Sequence, residues 1–214
     1  MKRFKRIGIA LTFIFVMAFS LAACDGSPVY RGGTVPNNVV ISNPSLANLA
    51  EGRQVVATSF GQADQHGFIG TLTQIGWTPG NQYIRNDMLA AADITEPVLL
   101  LTTVGFSVKA GIPSLFVASE TARFNAIIDS NADIKIVMLH LGRAWRRGQL
   151  TDPIINLIAP HSEVMIVIDD GTEQGGNFDG LFTSLRNANN VPLYTFTAQT
   201  QDSFRDSLRF IVGV

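Results

Sequence analysis

The sequence predicts a single α/β domain in which a mainly parallel β-sheet is covered by helices on both faces. Short and nearly continuous apolar runs, the strongest at 98–103 and 134–141, are typical of strands buried on both sides. Segments with apolar residues at helical spacing separate these runs. Because strands that alternate with helices pair in parallel through right-handed crossovers, we expect a three-layer, doubly wound α/β/α domain.

The elements follow one another from residue 53 to the end of the chain. Five main strands, with a sixth short one at an edge, are expected at 55–58, 83–84, 98–103, 134–141, 164–168 and 192–196. The intervening helices carry apolar faces around Phe68, Phe124, Ile154, Leu181 and Phe204. Their start signals include Ser119, Thr151-Asp152-Pro153 and Asp179, since such residues cap helices or fit the first turn. This order is typical of Rossmann-like or flavodoxin-like domains.

An export signal precedes the domain. A basic stretch at 2–6 is followed by an apolar run from Ile7 to Phe19, which suits a cleavable signal better than a membrane span of about 20 apolar residues. The run closes on Leu21-Ala22-Ala23-Cys24, which resembles the lipobox of bacterial lipoprotein signal peptides. That resemblance implies cleavage before Cys24, the only cysteine in the chain, and attachment of a lipid to its sulfur.

The expected organisation is a signal peptide at 1–23, a lipidated flexible tether at 24–52 and the α/β domain at 53–214. The tether is rich in Gly, Pro, Asn and Ser and lacks periodicity. The predicted location is the cell envelope, with the domain anchored to a membrane on its extracytoplasmic side. Cleavage removes four of the 16 Lys and Arg and none of the 17 Asp and Glu, which leaves a formal charge of about −5. Nucleic acid is therefore not an expected partner, because it needs a concentrated basic footprint.

Polar residues gather in the loops that follow the predicted strands, where open parallel sheets bind their ligands. The residues predicted to bind a ligand are Gln62, Asp64, His140, Arg143, Arg146, Arg147 and Asp179. Guanidinium forks match carboxylate and phosphate oxygens, so a small polar or anionic ligand is the first hypothesis. The alternative for Arg146 and Arg147 is a solvated or ion-paired loop, with one of them bonded to Asp152.

His140 and Asp169 are the candidate catalytic bases, and both rest on weak signals. The alternative for His140, at the end of a buried strand, is a histidine bonded to a neighbouring loop. His161 is expected at the opposite end of the sheet. Carboxylates and imidazoles at strand ends suit a metal, but no local spacing makes the candidates converge, so neither a metal nor a cofactor is predicted. Those candidates are Asp64, His66, His140, Asp169 and Asp170.

Three stretches share a pattern with other bacterial proteins. They are 58–64 (TSFGQAD), 140–152 with His140-Leu141-Gly142 and its arginines, and 179–183 together with the later Val191-Pro192-Leu193. Over about 54–197 the chain resembles a family of uncharacterised, often exported bacterial proteins defined by a domain of unknown function. It departs from the family pattern at Trp145 and in the 171–177 insertion. The resemblance implies a shared fold and brings no established activity with it.

The common catalytic signatures do not occur in the sequence. It contains no G-x-S-x-G, Walker A, G-x-G-x-x-G or H-E-x-x-H motif, and a single lipidated cysteine leaves no thiol nucleophile. Three functions stay open. The first is a membrane-tethered module that binds a small ligand and presents it to an envelope protein. The second is an extracytoplasmic hydrolase-type enzyme with a His or Asp base and arginine as anion support. The third is a protein-interaction domain.

Overall fold

A computed structural model describes residues 31–32, 45–61, 65–78, 81–82, 89–95, 97–106, 115–142, 146–169, 176–177, 179–197 and 200–213. The strands in this part of the chain are β1 (Arg31–Gly32), β2 (Gln54–Gly61), β3 (Asn81–Gln82), β4 (Val98–Gly105), β5 (Ile134–Leu141), β6 (Ser162–Asp169) and β7 (Leu193–Thr197). The α-helices are α1 (Leu46–Ala50), α2 (Gln65–Gln74), α3 (Leu115–Ser130), α4 (Asp152–Ile158), α5 (Leu181–Asn189) and α6 (Gln201–Val212). Short 3₁₀ turns lie at Ala91–Asp93 and Ala159–His161.

The strands form one sheet in the order β1-β7-β6-β5-β4-β2-β3, and every neighbouring pair is parallel. The predicted three-layer α/β fold is confirmed. The two edge strands, β1 and β3, have only two residues each. Strand β1 was not predicted, and the short strand predicted at 83–84 lies outside the described residues. The strand order reverses between β2 and β4, because β3 lies on one side of β2 and β4 on the other. Ligands of such sheets bind beyond the carboxyl ends of the strands near this reversal.

Two apolar clusters cover the two faces of the sheet. Helices α1, α2 and α6 pack on one face through residues such as Leu49, Leu72 and Leu208. Helices α3, α4 and α5 pack on the other through residues such as Ile127 and Ile155. This division is what right-handed crossovers produce, since the chain moves toward one edge through α2 and toward the other through α3 to α5.

The central strands are buried on both faces, as their apolar runs predict. All eight residues of β4 are buried, and its side chains alternate between the clusters, with Leu100 on one face and Leu101 on the other. Each fully buried leucine of this kind stabilises the fold by about 1.5–3 kcal/mol. No helix among the described residues is long and apolar enough to span a membrane.

The segment predicted as a flexible tether contains a folded part. Ser45 caps α1 by accepting a hydrogen bond from the Asn48 N–H at 3.2 Å, and Leu46 and Leu49 are buried in the α2 and α6 cluster. Part of the segment predicted as a tether is therefore structured, at β1 and at α1. One turn of helix is too short to produce a periodic pattern, and the polar composition of 24–52 conceals it.

The helix start signals gave mixed results. Helix α4 begins at Asp152 with Pro153 in its first turn, as predicted. Asp179 accepts a hydrogen bond from the Leu181 N–H at 3.1 Å at the start of α5. The prediction that Ser119 caps α3 is wrong, because α3 begins at Leu115. Val117 already packs against the core ahead of Ser119, and this contact favours a helix that starts earlier than the local cap signal indicates.

Candidate functional site

Five of the predicted site residues lie in the described part of the chain, at the carboxyl ends of β5 and β6. His140 is the second-last residue of β5, and Asp169 is the last residue of β6. Arg146 and Arg147 are in the connection from β5 to α4, and Asp179 precedes α5. The structure brings Arg147 and Asp179 into direct contact beside His140. Cys24, Gln62, Asp64 and Arg143 lie outside the described residues, as do Lys109 and Asp170.

His140 is fully buried, and its ring has a defined tautomer. Its Nδ1 lies 2.9 Å from the Val104 carbonyl oxygen of the neighbouring strand β4. A carbonyl can only accept a hydrogen bond, so Nδ1 carries the proton and donates it. The Nε2 atom is left as an acceptor, and no described residue hydrogen-bonds to it. His140 thus has one nitrogen fixed by the sheet and one buried lone pair without a partner there.

The imidazole of His140 is neutral at physiological pH. Burial lowers the pKa of His140 to about 4, against the opposing effect of the Val104 hydrogen bond. The positive charges of Arg147 and Arg146 lower the pKa further, while the carboxylate of Asp152 acts in the other direction. A neutral imidazole at this position is a hydrogen-bond acceptor and a poor proton carrier at pH 7.

The ring of His140 is enclosed by α5 and by the backbone at Gly176. Phe182 of α5 lies with its ring centroid 5.5 Å from that of His140. A Cβ atom on Gly176 would approach the His140 Cδ2 to 2.6 Å and Nε2 to 3.1 Å, so only glycine fits against this edge of the ring. Gly176 therefore lies against the edge of the ring formed by Cδ2 and Nε2.

Arg147 is the centre of an ion-pair cluster, and its side chain is 1% exposed. Its Nε donates to Asp152 Oδ1 at 2.6 Å, and one terminal nitrogen donates to both Asp152 Oδ2 at 3.2 Å and Asp179 Oδ2 at 3.1 Å. The remaining terminal nitrogen donates to the Gly176 carbonyl. The guanidinium also lies 5.4 Å from the Phe182 ring centroid. Its donors are thus used inside the protein, which is the ion-paired alternative that the sequence left open.

Asp152 is the stronger of the two carboxylate partners. It accepts from Arg147 twice and from the Gly148 N–H at 3.0 Å. Burial raises the pKa of Asp152, but the hydrogen bonds from Arg147 and Gly148 and the charge of Arg147 outweigh that effect and lower the pKa overall. Asp152 is consequently ionised at neutral pH and compensates the buried guanidinium.

Arg146 lies beside the same strand end and is half-buried. Its Cδ would be 2.8 Å from a Cβ on Gly142, whose φ of +115° is in the left-handed region that favours glycine. Gly142 in turn donates its N–H to the Ile168 carbonyl of β6 at 2.8 Å. Because Gly142 has no Cβ, the side chain of Arg146 can lie against the end of β5. The positive charge of Arg146 contributes to the lowered pKa of His140.

Sequence reasoning missed a second buried arginine, on the same face of the sheet. Arg123 of α3 donates to Glu120 at 2.6 Å and to the Ser59 carbonyl at 2.6 Å, and it lies 4.0 Å from the Phe60 ring centroid. The sequence does contain a signal for it. Glu120 occupies the same helical stripe as Val117, Phe124 and Ile127, and a charge within an apolar stripe indicates a buried partner.

His161 occupies the opposite end of the sheet, just before β6, with its ring against Phe124. Within the described residues, no three His, Cys, Asp or Glu side chains come together as metal ligands. Among the described residues, the carboxyl edge of the sheet thus presents the neutral acceptor Nε2 of His140. Beside it lies the guanidinium of Arg147, whose charge is balanced by Asp152 and Asp179.

Comparison with known proteins gives one match. A family model described as a domain of unknown function, DUF6305, matches residues 52–207, which is more than half of the chain and runs from the start of β2 into α6. No curated protein and no solved structure matches the chain. The predicted resemblance to an uncharacterised family is confirmed. The chain belongs to DUF6305, a family defined by a domain of unknown function.

Proposed function

We propose that this protein is a lipid-anchored domain of the bacterial cell envelope that binds a small polar ligand at the carboxyl edge of its sheet. The anchor is supported by the basic and apolar N-terminal segments and by the lipobox-like residues ending at Cys24. The ligand site is supported by one observation above the others, the unpartnered and buried Nε2 of His140.

A buried polar atom without a hydrogen bond costs about 1–3 kcal/mol of stability. Native proteins keep few such atoms, and functional sites are one of the reasons that they persist. His140 lies near the carboxyl end of β5 and is bonded to β4, one of the strands at the reversal of strand order. Doubly wound sheets hold their ligands beyond the carboxyl ends of the strands near such a reversal, which supports a site here. A ligand that donates to Nε2 would remove the cost.

Binding has more support than hydrolysis. A general base works best with a pKa near the working pH, and the pKa of His140 is about 4. Its Nδ1 donates to a backbone carbonyl, whereas the base of a catalytic triad is oriented by a carboxylate. Arg147, the strongest candidate for anion support, is bonded to two aspartates and a carbonyl of the protein itself.

The ligand site is tested with full-length protein in detergent, by thermal shift against sugars, polyols, amines, amino acids, nucleotides and divalent metals. A ligand at one hundred times its Kd stabilises the native state by about 2.7 kcal/mol. We expect the shift for a hit to disappear in His140→Phe, which retains a ring against Phe182 and removes the acceptor. His161→Gln, at the other end of the sheet, is the matched control and should retain the shift.

Two results would count against the ligand site. One is a hit whose shift is the same in His140→Phe as in the wild type. The other is a folded protein that gives no shift across the whole panel, which would favour the protein-interaction alternative.

The anchor is tested separately, by expression in a bacterium supplied with an alkyne analogue of palmitate. We expect the wild type to be labelled and to fractionate with membranes, and Cys24→Ser to lose both properties because the acceptor sulfur is gone. Ser27→Ala, three residues further along, should be labelled like the wild type. Labelling that survives in Cys24→Ser would refute the anchor at this residue.

A further inference from the structure

We propose that the ligand of this site is a neutral or cationic hydrogen-bond donor, such as a hydroxyl, amide or ammonium group, and that phosphates and carboxylates are rejected. The inference rests on the proposed function, because it names the class of ligand that the His140 site accepts. It replaces the anionic ligand that the arginine-rich loop alone would suggest.

The first step is the polarity of His140. Its Nδ1 proton is held by the Val104 carbonyl, so only the lone pair of Nε2 is directed toward a ligand. A phosphate or carboxylate oxygen is also an acceptor and would repel this lone pair. An ionised phosphate or carboxylate oxygen could bind to Nε2 itself only if His140 took up a second proton. With a pKa of about 4, this costs a factor of about a thousand in affinity at pH 7.

The second step is the balance of charge around the ring. The described charged residues at this edge are two arginines and three aspartates, Arg146, Arg147, Asp152, Asp169 and Asp179. Asp169 shares the face of His140, since it lies two residues beyond Val167, the register partner of His140. Arg147 is bonded to both of the other aspartates. Among the described residues around His140, the charges of the two arginines are thus matched by the three aspartates, with no surplus positive charge to attract an anion.

The third step is the space beside Nε2. The ring is fully buried, and the residue against its Nε2 edge is Gly176, held by Arg147 through the Gly176 carbonyl. The backbone at Gly176 lies close to this edge of the ring, so a donor that reaches Nε2 from that side has to displace it. Arg147 also bonds Asp179, at the start of α5, so it connects this backbone with the start of that helix. This is a positioning role for Arg147, in contrast to contact with an anion.

The test uses compounds that differ by one phosphate. Full-length protein in detergent is titrated calorimetrically at pH 7.5 with ethanolamine and phosphoethanolamine, glucose and glucose 6-phosphate, and myo-inositol and its monophosphate. We expect a member without phosphate to bind at least tenfold more tightly than its phosphorylated partner. We also expect its affinity to fall at least about fivefold in His140→Phe, which loses one hydrogen bond, and to be unchanged in His161→Gln.

The outcomes separate this inference from the proposed function. Tighter binding of a phosphorylated member, lost in His140→Phe, would overturn the donor class and leave the ligand site standing. Binding that is indifferent to His140→Phe, or no binding by any pair, would count against the site itself. Nitrogen-15 NMR of the histidines tests the polarity without a ligand. A neutral ring with its proton on Nδ1 is expected, and a proton on Nε2 at pH 7 would overturn the inference.

Discussion

Two buried arginines on the same face of the sheet are neutralised in different ways. Arg123 is 13% exposed and pairs with Glu120, whose side chain is only 4% exposed. Arg147 is 1% exposed and pairs with Asp152 and Asp179, whose side chains are 30% and 42% exposed. In the first cluster both charges are buried. In the second only the cation is, and its carboxylates reach water.

The two clusters also connect different parts of the chain. Arg123 joins α3 to β2 through the Ser59 carbonyl and the Phe60 ring, so it positions a helix on the sheet. Arg147 joins the β5–α4 connection to Gly176 and Asp179 of the next connection, beside His140. The comparison indicates that the first arginine serves the fold and the second serves the candidate site. The loss of stability on replacing each arginine should therefore depend on how exposed its carboxylate partners are.

The largest effect is expected for Arg123→Met. The substitution removes the guanidinium that pairs with the buried carboxylate of Glu120, and breaking a buried pair in this way costs about 3–5 kcal/mol of the free energy of unfolding. Urea unfolding of the full-length protein at pH 7 measures it. Adding Glu120→Gln to Arg123→Met should recover part of the loss, because the buried negative charge is then gone.

The matched comparison is Arg147→Met, for which we expect a smaller loss of about 2 kcal/mol, since water solvates the partly exposed carboxylates that remain. Arg209→Met, in an exposed pair with Asp206, should change stability by less than about 0.5 kcal/mol. If Arg147→Met proved as costly as Arg123→Met, carboxylate exposure would not be what distinguishes the two clusters.

The next effect is a dependence of stability on pH, and it comes from His140 beside Arg147. Because the pKa of His140 falls from 6.5 to about 4 on folding, the unfolded chain binds more protons between these values. Stability should therefore fall as the pH drops from about 6.5 to 4, by about 3 kcal/mol in total from this residue. Asp152 does not blur this window, since its lowered pKa places its loss of stabilisation below pH 3.8.

Urea unfolding at pH 7, 5.5 and 4.5 checks the expectation. His140→Phe should be less stable at pH 7, because the Val104 carbonyl loses its donor, but it should lose the pH dependence in this window. His161→Gln should keep the wild-type slope. An unchanged slope in His140→Phe would show that another group causes it.

The sheet was predictable because its central strands are buried on both faces and appear in the sequence as unbroken apolar runs. All of β4 and most of β5 and β6 have this character. The short elements were not predictable in the same way. One turn at α1 and the two-residue β1 are held by contacts with distant residues, which leave no periodic pattern.

The candidate site was predictable where its contacts are local. The bond between Arg147 and Asp152 spans five residues and was among the alternatives. The bonds from Arg147 to Gly176 and Asp179 span 29 and 32 residues, and only the parallel crossovers bring them together. The His140 bond to Val104 spans 36 residues. Sequence patterns do not cover separations of this length. The sequence therefore indicated the site residues but not that Arg147 is bonded to Gly176 and Asp179.

The smallest effect separates the two carboxylates around Arg147. Asp152→Asn should cost about 1–2 kcal/mol, because Asp152 accepts two bonds from the guanidinium and one from Gly148. Asp179→Asn should cost no more than about 0.5 kcal/mol, since Arg147 keeps Asp152 and an asparagine can still accept from the Leu181 N–H. Urea unfolding of both variants at pH 7 gives the comparison. Equal losses would mean that the Arg147 guanidinium depends equally on both carboxylates. The exposure of Asp179 would then not reduce its contribution to stability.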